Sequence, residues 1–224
     1  GLGTRGDVIL QLDWTVGEIM NTLDSLNIAD NTIFVFLSDN GAVIDDGYQD
    51  QARELLNGHT PMLNYRGGKY SAYEAGTRTP LLVRWPEKIK PAVQEGLYST
   101  VDFFASFAGL LGYEIPQGQA PDSRNYLNTL IGTDTKGCDY VIQQNLNNTL
   151  SIVKDGWKYI ETSDKPALEF WTKTELGNSK EVQLYNVVDD PSEKKNVAKE
   201  NPEKTQELEK ILMAEKNKFE KTKM

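Results

Sequence analysis

Two residues, Asp39 and Asn40, stand side by side one residue after an apolar run, Thr32 to Leu37, and directly before Gly41. A carboxylate beside a carboxamide offers two hard oxygen ligands, the donor type that calcium gathers in sets of roughly six to eight. The same Ser38-Asp39-Asn40-Gly41 tetrapeptide also reads as a plain turn after a strand. The chain has one histidine, His59, and one cysteine, Cys138, which leaves almost nothing for a nitrogen- and sulfur-ligated zinc site. A second stretch begins at Arg66-Gly67-Gly68-Lys69. Paired glycines let a backbone approach a ligand closely, and the lysine after them could meet an oxyanion as a point charge. A surface lysine beside a flexible turn is the alternative.

The elements that would position these residues follow an α/β pattern. From Asp7 to Leu26 the apolar residues Ile9, Leu12, Val16, Ile19, Met20 and Leu23 recur at spacings of three and four, predicting a helix with one buried face and Asp7 at its N-cap or first turn. Thr32 to Leu37 is β-rich and apolar throughout, as in a strand buried on both faces. Asp39 and Asn40 then fall at the carboxyl end of that strand, where open α/β sheets place their sites. The polar stretch 42–80 is long for a connection and so suggests function or disorder.

Leu81 to Trp85 reads as a second strand and Leu97 to Val101 as a short third. Asp102 suits the cap of an apolar helix with Phe103, Phe104, Phe107, Leu110 and Leu111, stopped at Gly112. After about residue 120 the pattern becomes antiparallel. Strands are expected at 140–144, 149–153, 157–161 and 183–187, with Asp155-Gly156 turning one hairpin. A last amphipathic helix starts near Pro202 and uses Leu208, Ile211, Leu212 and Phe219. The expected division is an α/β part over residues 1–120 and a small α+β part over 121–224.

Composition narrows the class. The 224 residues carry a net charge of -9, with 38% hydrophobic and 25% charged residues, as in an ordinary globular protein. No basic face argues for nucleic acid, since the lysines near the end alternate with glutamates as on a solvated helix face. No apolar run has the roughly 20 residues of a membrane span.

Taken in order, the motifs resemble the formylglycine-dependent sulfatases, the arylsulfatase group of the alkaline phosphatase superfamily. The set is Asp13-Trp14, the strand ending Ser38-Asp39-Asn40-Gly41, Gly58-His59-x-Pro61, Arg66-Gly67-Gly68-Lys69, Tyr73-Glu74-x-Gly76-x-Arg78-x-Pro80, Trp85-Pro86 and Val101-Asp102. The resemblance runs on to Trp157-Lys158-Tyr159 and Leu184-Tyr185. It implies part of an alkaline-phosphatase-like sheet flanked by helices, followed by a small antiparallel sheet with a helix.

The resemblance also implies roles. Asp39 and Asn40 match the calcium-ligand pair, Lys69 the sulfate-binding lysine, and His59, more loosely, a histidine near the leaving group or the sulfate, with a hydrogen-bonded loop residue as the alternative. Asp45, Asp46 and Arg66 are candidates to touch the sugar, with a solvated loop as the alternative for the aspartates. Glu74 and Arg78 read as a structural ion pair or a loop anchor rather than as site residues. The implied substrate is a sulfated sugar, such as galactose or N-acetylgalactosamine of a glycosaminoglycan or mucin glycan, met in the periplasm or outside the cell.

One departure matters. The family nucleophile is a formylglycine made within Cys/Ser-x-Pro-x-Arg, and Cys138 is followed by Asp139-Tyr140-Val141 instead. Nor does a further aspartate ligand pair precede Asp39. The expectation is therefore a C-terminal fragment of a sulfatase, inactive alone. A phosphatase or phosphodiesterase of the superfamily and a non-catalytic glycan-binding module are the competing readings. The phosphatases tend to carry Asp-His-Gly where this chain has Asp39-Asn40-Gly41.

Overall fold

A computed structural model describes residues 3–222 apart from Gln49, without the side chains of 219–222, so that Phe219 lies outside the described side chains. The elements run α1 (Gly3–Ser25), β1 (Phe34–Leu37), α2 (Glu74–Thr77), β2 (Leu81–Arg84), α3 (Phe103–Leu110), α4 (Leu127–Leu130), β3 (Val141–Gln144), β4 (Leu150–Lys154), β5 (Trp157–Ile160), β6 (Gln183–Asn186) and α5 (Pro202–Thr222). Short 3-10 turns precede β1 and α3.

The chain falls into two compact units. One takes α1 as far as Ile19, Leu37–Pro80 and the chain from Ile142 onward; the other takes Met20–Phe36 and Leu81–Val141. This division does not follow a cut at residue 120, because the 37–80 segment packs with the C-terminal sheet rather than with the chain that follows it.

In the second unit β1 pairs with β2 in a two-stranded sheet. The Trp85 indole N–H donates to the Asp30 carbonyl (2.9 Å), closing the turn before β1 against the end of β2. The strand expected at 97–101 does not form. Leu97 makes a single bridge to Gly137, and Thr100–Asp102 is already a 3-10 turn. Asp102 precedes α3 as expected, yet its carboxylate accepts from the Arg124 N–H (2.9 Å) and not from its own helix. Gly112 ends the helix with φ +67°, a conformation that favours glycine.

Helix α1 departs most from its pattern. It begins by Gly3, which puts Asp7 beyond the first turn, and it buries no residue among those described. Ile9, Leu12 and Ile19 are exposed, as are Val8, Leu10 and Trp14. Strand β1 is half-buried rather than buried on both faces, and among the described residues β2 is the one strand that pairs with it. The apolar periodicity encodes a helix built to be covered. It does not encode a cover.

The core of the first unit lies around the four-stranded sheet β3-β4-β5-β6. Asp155 and Gly156 take positive φ (51° and 78°) and turn β4 into β5, with Lys154 opposite Trp157. Strand β6 continues antiparallel, Tyr159 opposite Leu184. Leu208 and Leu212 of α5 are fully buried, and the helix packs on β4 and β5. Ala72, Tyr73, Ile160, Tyr185 and Val187 form one apolar cluster, which brings residues 71–76 onto the sheet.

A buried cation completes that attachment. Lys158 of β5 has no exposed surface; its ammonium pairs with Glu74 (2.7 Å) and donates to the Ala72 carbonyl (2.9 Å). Glu193 lies on the same ammonium at 3.8 Å and accepts from the Glu74 N–H (2.7 Å) through its other oxygen. Burial raises the Glu74 carboxyl, but Lys158 and Arg78 outweigh it and leave it below its ordinary value. Arg78 holds Glu74 from outside (3.2 Å), the ion pair expected from the sequence. For Glu193 burial prevails over the pull of Lys158 and pushes its pKa up to about 7, and its Oε1 has no hydrogen-bond partner.

A sign follows for stability. Between the ordinary 4.5 and about 7, the folded protein holds a proton on Glu193 that the unfolded chain has released, so stability falls as pH rises through this window. Glu193→Gln, which cannot ionise, is expected to flatten the dependence between pH 5 and 7. Above pH 7 it should be more stable than the parent by on the order of 1 kcal/mol. Urea melts of both proteins at pH 5 and pH 8 check this, and equal pH slopes would contradict it.

Candidate active site

The chain leaving β1 turns through Ser38, Asp39 and Asn40. The Ser38 hydroxyl donates to the Asn40 carbonyl (2.9 Å), and the Asn40 amide donates to the Gly41 carbonyl (3.0 Å), leaving Asn40 Oδ1 as an acceptor. Asp39 is exposed. Gly41 then passes so close to α2 that a Cβ on it would stand 1.6 Å from the Ala75 carbonyl oxygen, and its N–H donates to the Gly76 carbonyl (2.9 Å). The glycine of the tetrapeptide is needed for this close approach, whatever the residues before it bind.

The second segment runs beside the first. The Lys69 N–H donates to the Ala42 carbonyl (2.9 Å), and a Cβ on Gly68 would lie 2.7 Å from that same oxygen. Gly67-Gly68 thus serves an approach of chain to chain at the foot of the lysine. The Lys69 ammonium extends to the Asp46 carboxylate (2.9 Å), whose other oxygen accepts from the Tyr70 hydroxyl (2.9 Å). Its hydrogen bond with Asp46 raises the Lys69 pKa, and the same bond lowers that of Asp46. Both side chains keep partial exposure, so the lysine is a charged group open to solvent.

Tyr70 holds a φ of +82°, a strained region for a side chain of this size. The Leu146 N–H fixes its carbonyl (3.0 Å) and Asp46 its hydroxyl. Sequence reasoning passed over Tyr70, because positive φ at a tyrosine has no composition signal. The loop with Asp46 is itself tied to α1, since Arg5 pairs with Asp50 (2.8 Å) and donates to the Val43 carbonyl.

The other expected site residues separate from this group. His59 is exposed on a turn, its N–H bonded to the Leu56 carbonyl (2.8 Å). Asp45 is exposed. Arg66 is committed to protein: it pairs with Glu175 (2.6 Å), donates to the Glu193 carbonyl (2.8 Å) and stacks over the Tyr73 ring at 4.1 Å. It lines a cleft of 310 Å³ with Tyr73, Leu168, Glu175, Gln183 and Tyr185. The structure therefore brings together Lys69, Asp46 and Tyr70, with the backbone after Asp39-Asn40 passing at the foot of Lys69.

A family model, Sulfatase, matches residues 2–113, half of the 224 residues. The chain belongs to the sulfatase family. It is 66% identical over 212 residues to the N-acetylgalactosamine-6-O-sulfatase of Bacteroides thetaiotaomicron, covering 95% of this chain and 42% of that protein. It is 35% identical over 130 residues to human N-acetylgalactosamine-6-sulfatase, covering 58% of this chain and 23% of that protein. A solved structure of a 6S-sulfatase, described with metabolism of multiple glycosaminoglycans by B. thetaiotaomicron, superposes with a TM-score of 0.95 at 65% identity. It covers 97% of this chain and 45% of that chain. The chain thus spans less than half the length of these relatives. Its fold is the alkaline-phosphatase-like α/β fold of the sulfatases, with the small antiparallel sheet and helix at the C-terminal end.

Asp39 and Asn40 carry hard oxygen donors. Among the described residues no cluster of three or more His, Cys, Asp or Glu side chains could hold a metal ion. No described helix is long and apolar enough to cross a membrane.

The Gly41 approach gives a direct test. Gly41→Ala is expected to force the 38–41 turn away from α2 and to cost about 1–3 kcal/mol, the usual range for overpacking. Chemical denaturation measures it, and a substitution without effect would show that the turn relaxes freely.

Proposed function

We propose that the chain forms the sulfate- and sugar-recognising part of a sulfatase that acts on a 6-sulfated N-acetylgalactosamine of a glycosaminoglycan. The observation that carries this reading is the placement of Lys69. Its charged, partly open ammonium is held on a backbone bonded to Ala42, two residues past the Asp39-Asn40 pair. The two relatives named for N-acetylgalactosamine 6-sulfates support the choice of sugar and of sulfated carbon.

In this reading Lys69 releases Asp46 in part and takes the sulfate oxygens as a point charge, while Asp39 and Asn40 hold a calcium ion. The ion, when bound, adds fixed positive charge where the sulfate oxygens lie. As the ester S–O bond breaks, charge gathers on the leaving oxygen, and His59 is assigned as the group that protonates it. Asp45, Asp46 and Arg66 are assigned to the sugar side, Arg66 by shaping the wall it already braces. The nucleophile is assigned to a formylglycine outside these residues, since none of the 224 stands in a Cys/Ser-x-Pro-x-Arg sequence. A location in the periplasm or outside the cell fits a polymeric glycan substrate.

Isothermal titration with N-acetylgalactosamine 6-sulfate in the presence of calcium tests the reading. The chain is expected to bind the sulfated sugar, to prefer it over N-acetylgalactosamine, and to release no sulfate from it above background. Lys69→Ala should weaken binding roughly tenfold to a hundredfold, as for loss of one charge-assisted contact of about 1.5–3 kcal/mol. Equal affinity in the variant and the parent would overturn the proposal.

A further inference from the structure

We propose that Glu193 is a positioning residue for Lys69: it clamps both ends of loop 66–74 while its carboxyl keeps a proton, and the clamp slackens when that proton leaves. The consequence for ligand binding rests on the sulfate-binding role given to Lys69 above; the clamp itself does not.

One residue grips the loop at two places. The Glu193 carbonyl accepts from Arg66 Nη1 (2.8 Å), and the Glu193 carboxyl accepts from the Glu74 N–H (2.7 Å). Between these ends the loop is drawn shut on itself. The Ala75 N–H donates to the Arg66 carbonyl (2.9 Å), and the Ser71 N–H donates to the Gly68 carbonyl (3.0 Å). Gly67 has φ +83°, and a Cβ on it would overlap the Ser71 side chain. A chain packed this closely passes a shift at either end on to Gly68 and Lys69.

The carboxyl is placed to hold a proton. The Glu193 side chain is fully buried, and its Oε1 has no hydrogen-bond partner. Lys158 of β5 stands 3.8 Å from that oxygen and is already bound to Glu74 of α2 (2.7 Å) and to the Ala72 carbonyl (2.9 Å). Glu74 repels a second negative charge, while Arg66 attracts it. Arg78 is engaged with Glu74 from outside (3.2 Å). Tyr185 of β6 stays neutral, its pKa raised by burial and by the neighbouring Glu193.

One buried ammonium therefore faces two carboxyls and matches the charge of one. A neutral Glu193 leaves the group balanced, whereas a second buried carboxylate without a donor on Oε1 is costly. Burial accordingly pushes the Glu193 pKa up to about 7. Two movements relieve the ionised state. Lys158 draws toward Oε1 and lengthens its contacts to Glu74 and Ala72, or Glu193 turns away and gives up the Glu74 N–H. Each frees one end of the loop. The protonated form prevails below this pKa, so the clamp holds at low pH and slackens as pH rises through about 7.

The full chain and its Glu193→Gln variant test this. Glutamine keeps an acceptor for the Glu74 N–H and cannot ionise. Amide NMR without sulfate reads the clamp. The Gly68 and Lys69 amides of the parent are expected to titrate with a midpoint near 7, and those of the variant to stay at the parent's low-pH positions. Inorganic sulfate, a dianion throughout this range, reads the consequence. Its affinity for the parent is expected to fall about fivefold from pH 6 to pH 8, as for an ordinary coupling between two sites, and to stay level in the variant. Titrations elsewhere in the chain are common to both proteins. Gly68 and Lys69 amides that ignore pH, or that titrate alike in both proteins, would overturn the proposal. So would a sulfate affinity that is level in the parent or falls equally in the variant. If the amides titrate in the parent alone and sulfate does not bind, the sulfate assignment fails and the clamp stands.

Discussion

One ammonium group, that of Lys158, organises the part of the chain that carries the candidate site. It is fully buried on β5, and a buried charge is tolerated only where partners surround it. Glu74, Glu193 and the Ala72 carbonyl are those partners, and they come from outside the sheet. Removing Glu74, the carboxylate in direct contact at 2.7 Å, typically costs about 3–5 kcal/mol, because the lysine charge stays buried. Segment 71–76 therefore has one seat, and the backbone of Gly68 and Lys69 enters the site from it.

The consequence is a candidate site assembled from segments far apart in sequence and braced from behind. Gly76 receives Gly41, Ala42 receives Lys69, and Asp46 receives the Lys69 ammonium together with the Tyr70 hydroxyl. Positioning of the lysine is thus a property of the C-terminal sheet as much as of the turn after β1. Tyr70 shows the tightness of the fit, since its left-handed backbone persists only where both ends of the residue are held. The same brace runs through Arg66 to the Glu175 carboxylate.

Much of this was legible in the sequence where local chemistry decides. The apolar run before Ser38 predicts a strand, and its polar end marks the turn; Asp155-Gly156 fixes a hairpin through backbone preference alone. The final helix announces its buried face through Leu208 and Leu212. Partnership was not legible. Lys158 sits in a Trp-Lys-Tyr-Ile strand whose alternation cannot say that both faces are buried, and Glu193 lies in a polar turn without any signal of burial. Leu97 to Val101 has strand-forming residues but pairs at Leu97 alone. The stripe on α1 promised a buried face and met none among the described residues. Of the expected site residues, Lys69 and Asp46 meet because the loop between them folds back, a long-range event that spacing does not encode.

The most direct test of the central claim is the response of individual residues to inorganic sulfate, followed by amide and lysine side-chain NMR. The account predicts that sulfate shifts the Lys69 ammonium and the amides of Gly68, Lys69 and Tyr70 saturably, and that it loosens the contact to Asp46, while chloride at equal ionic strength does not. Shifts confined to the lysines of α5, with the Lys69 signals unmoved, would contradict it.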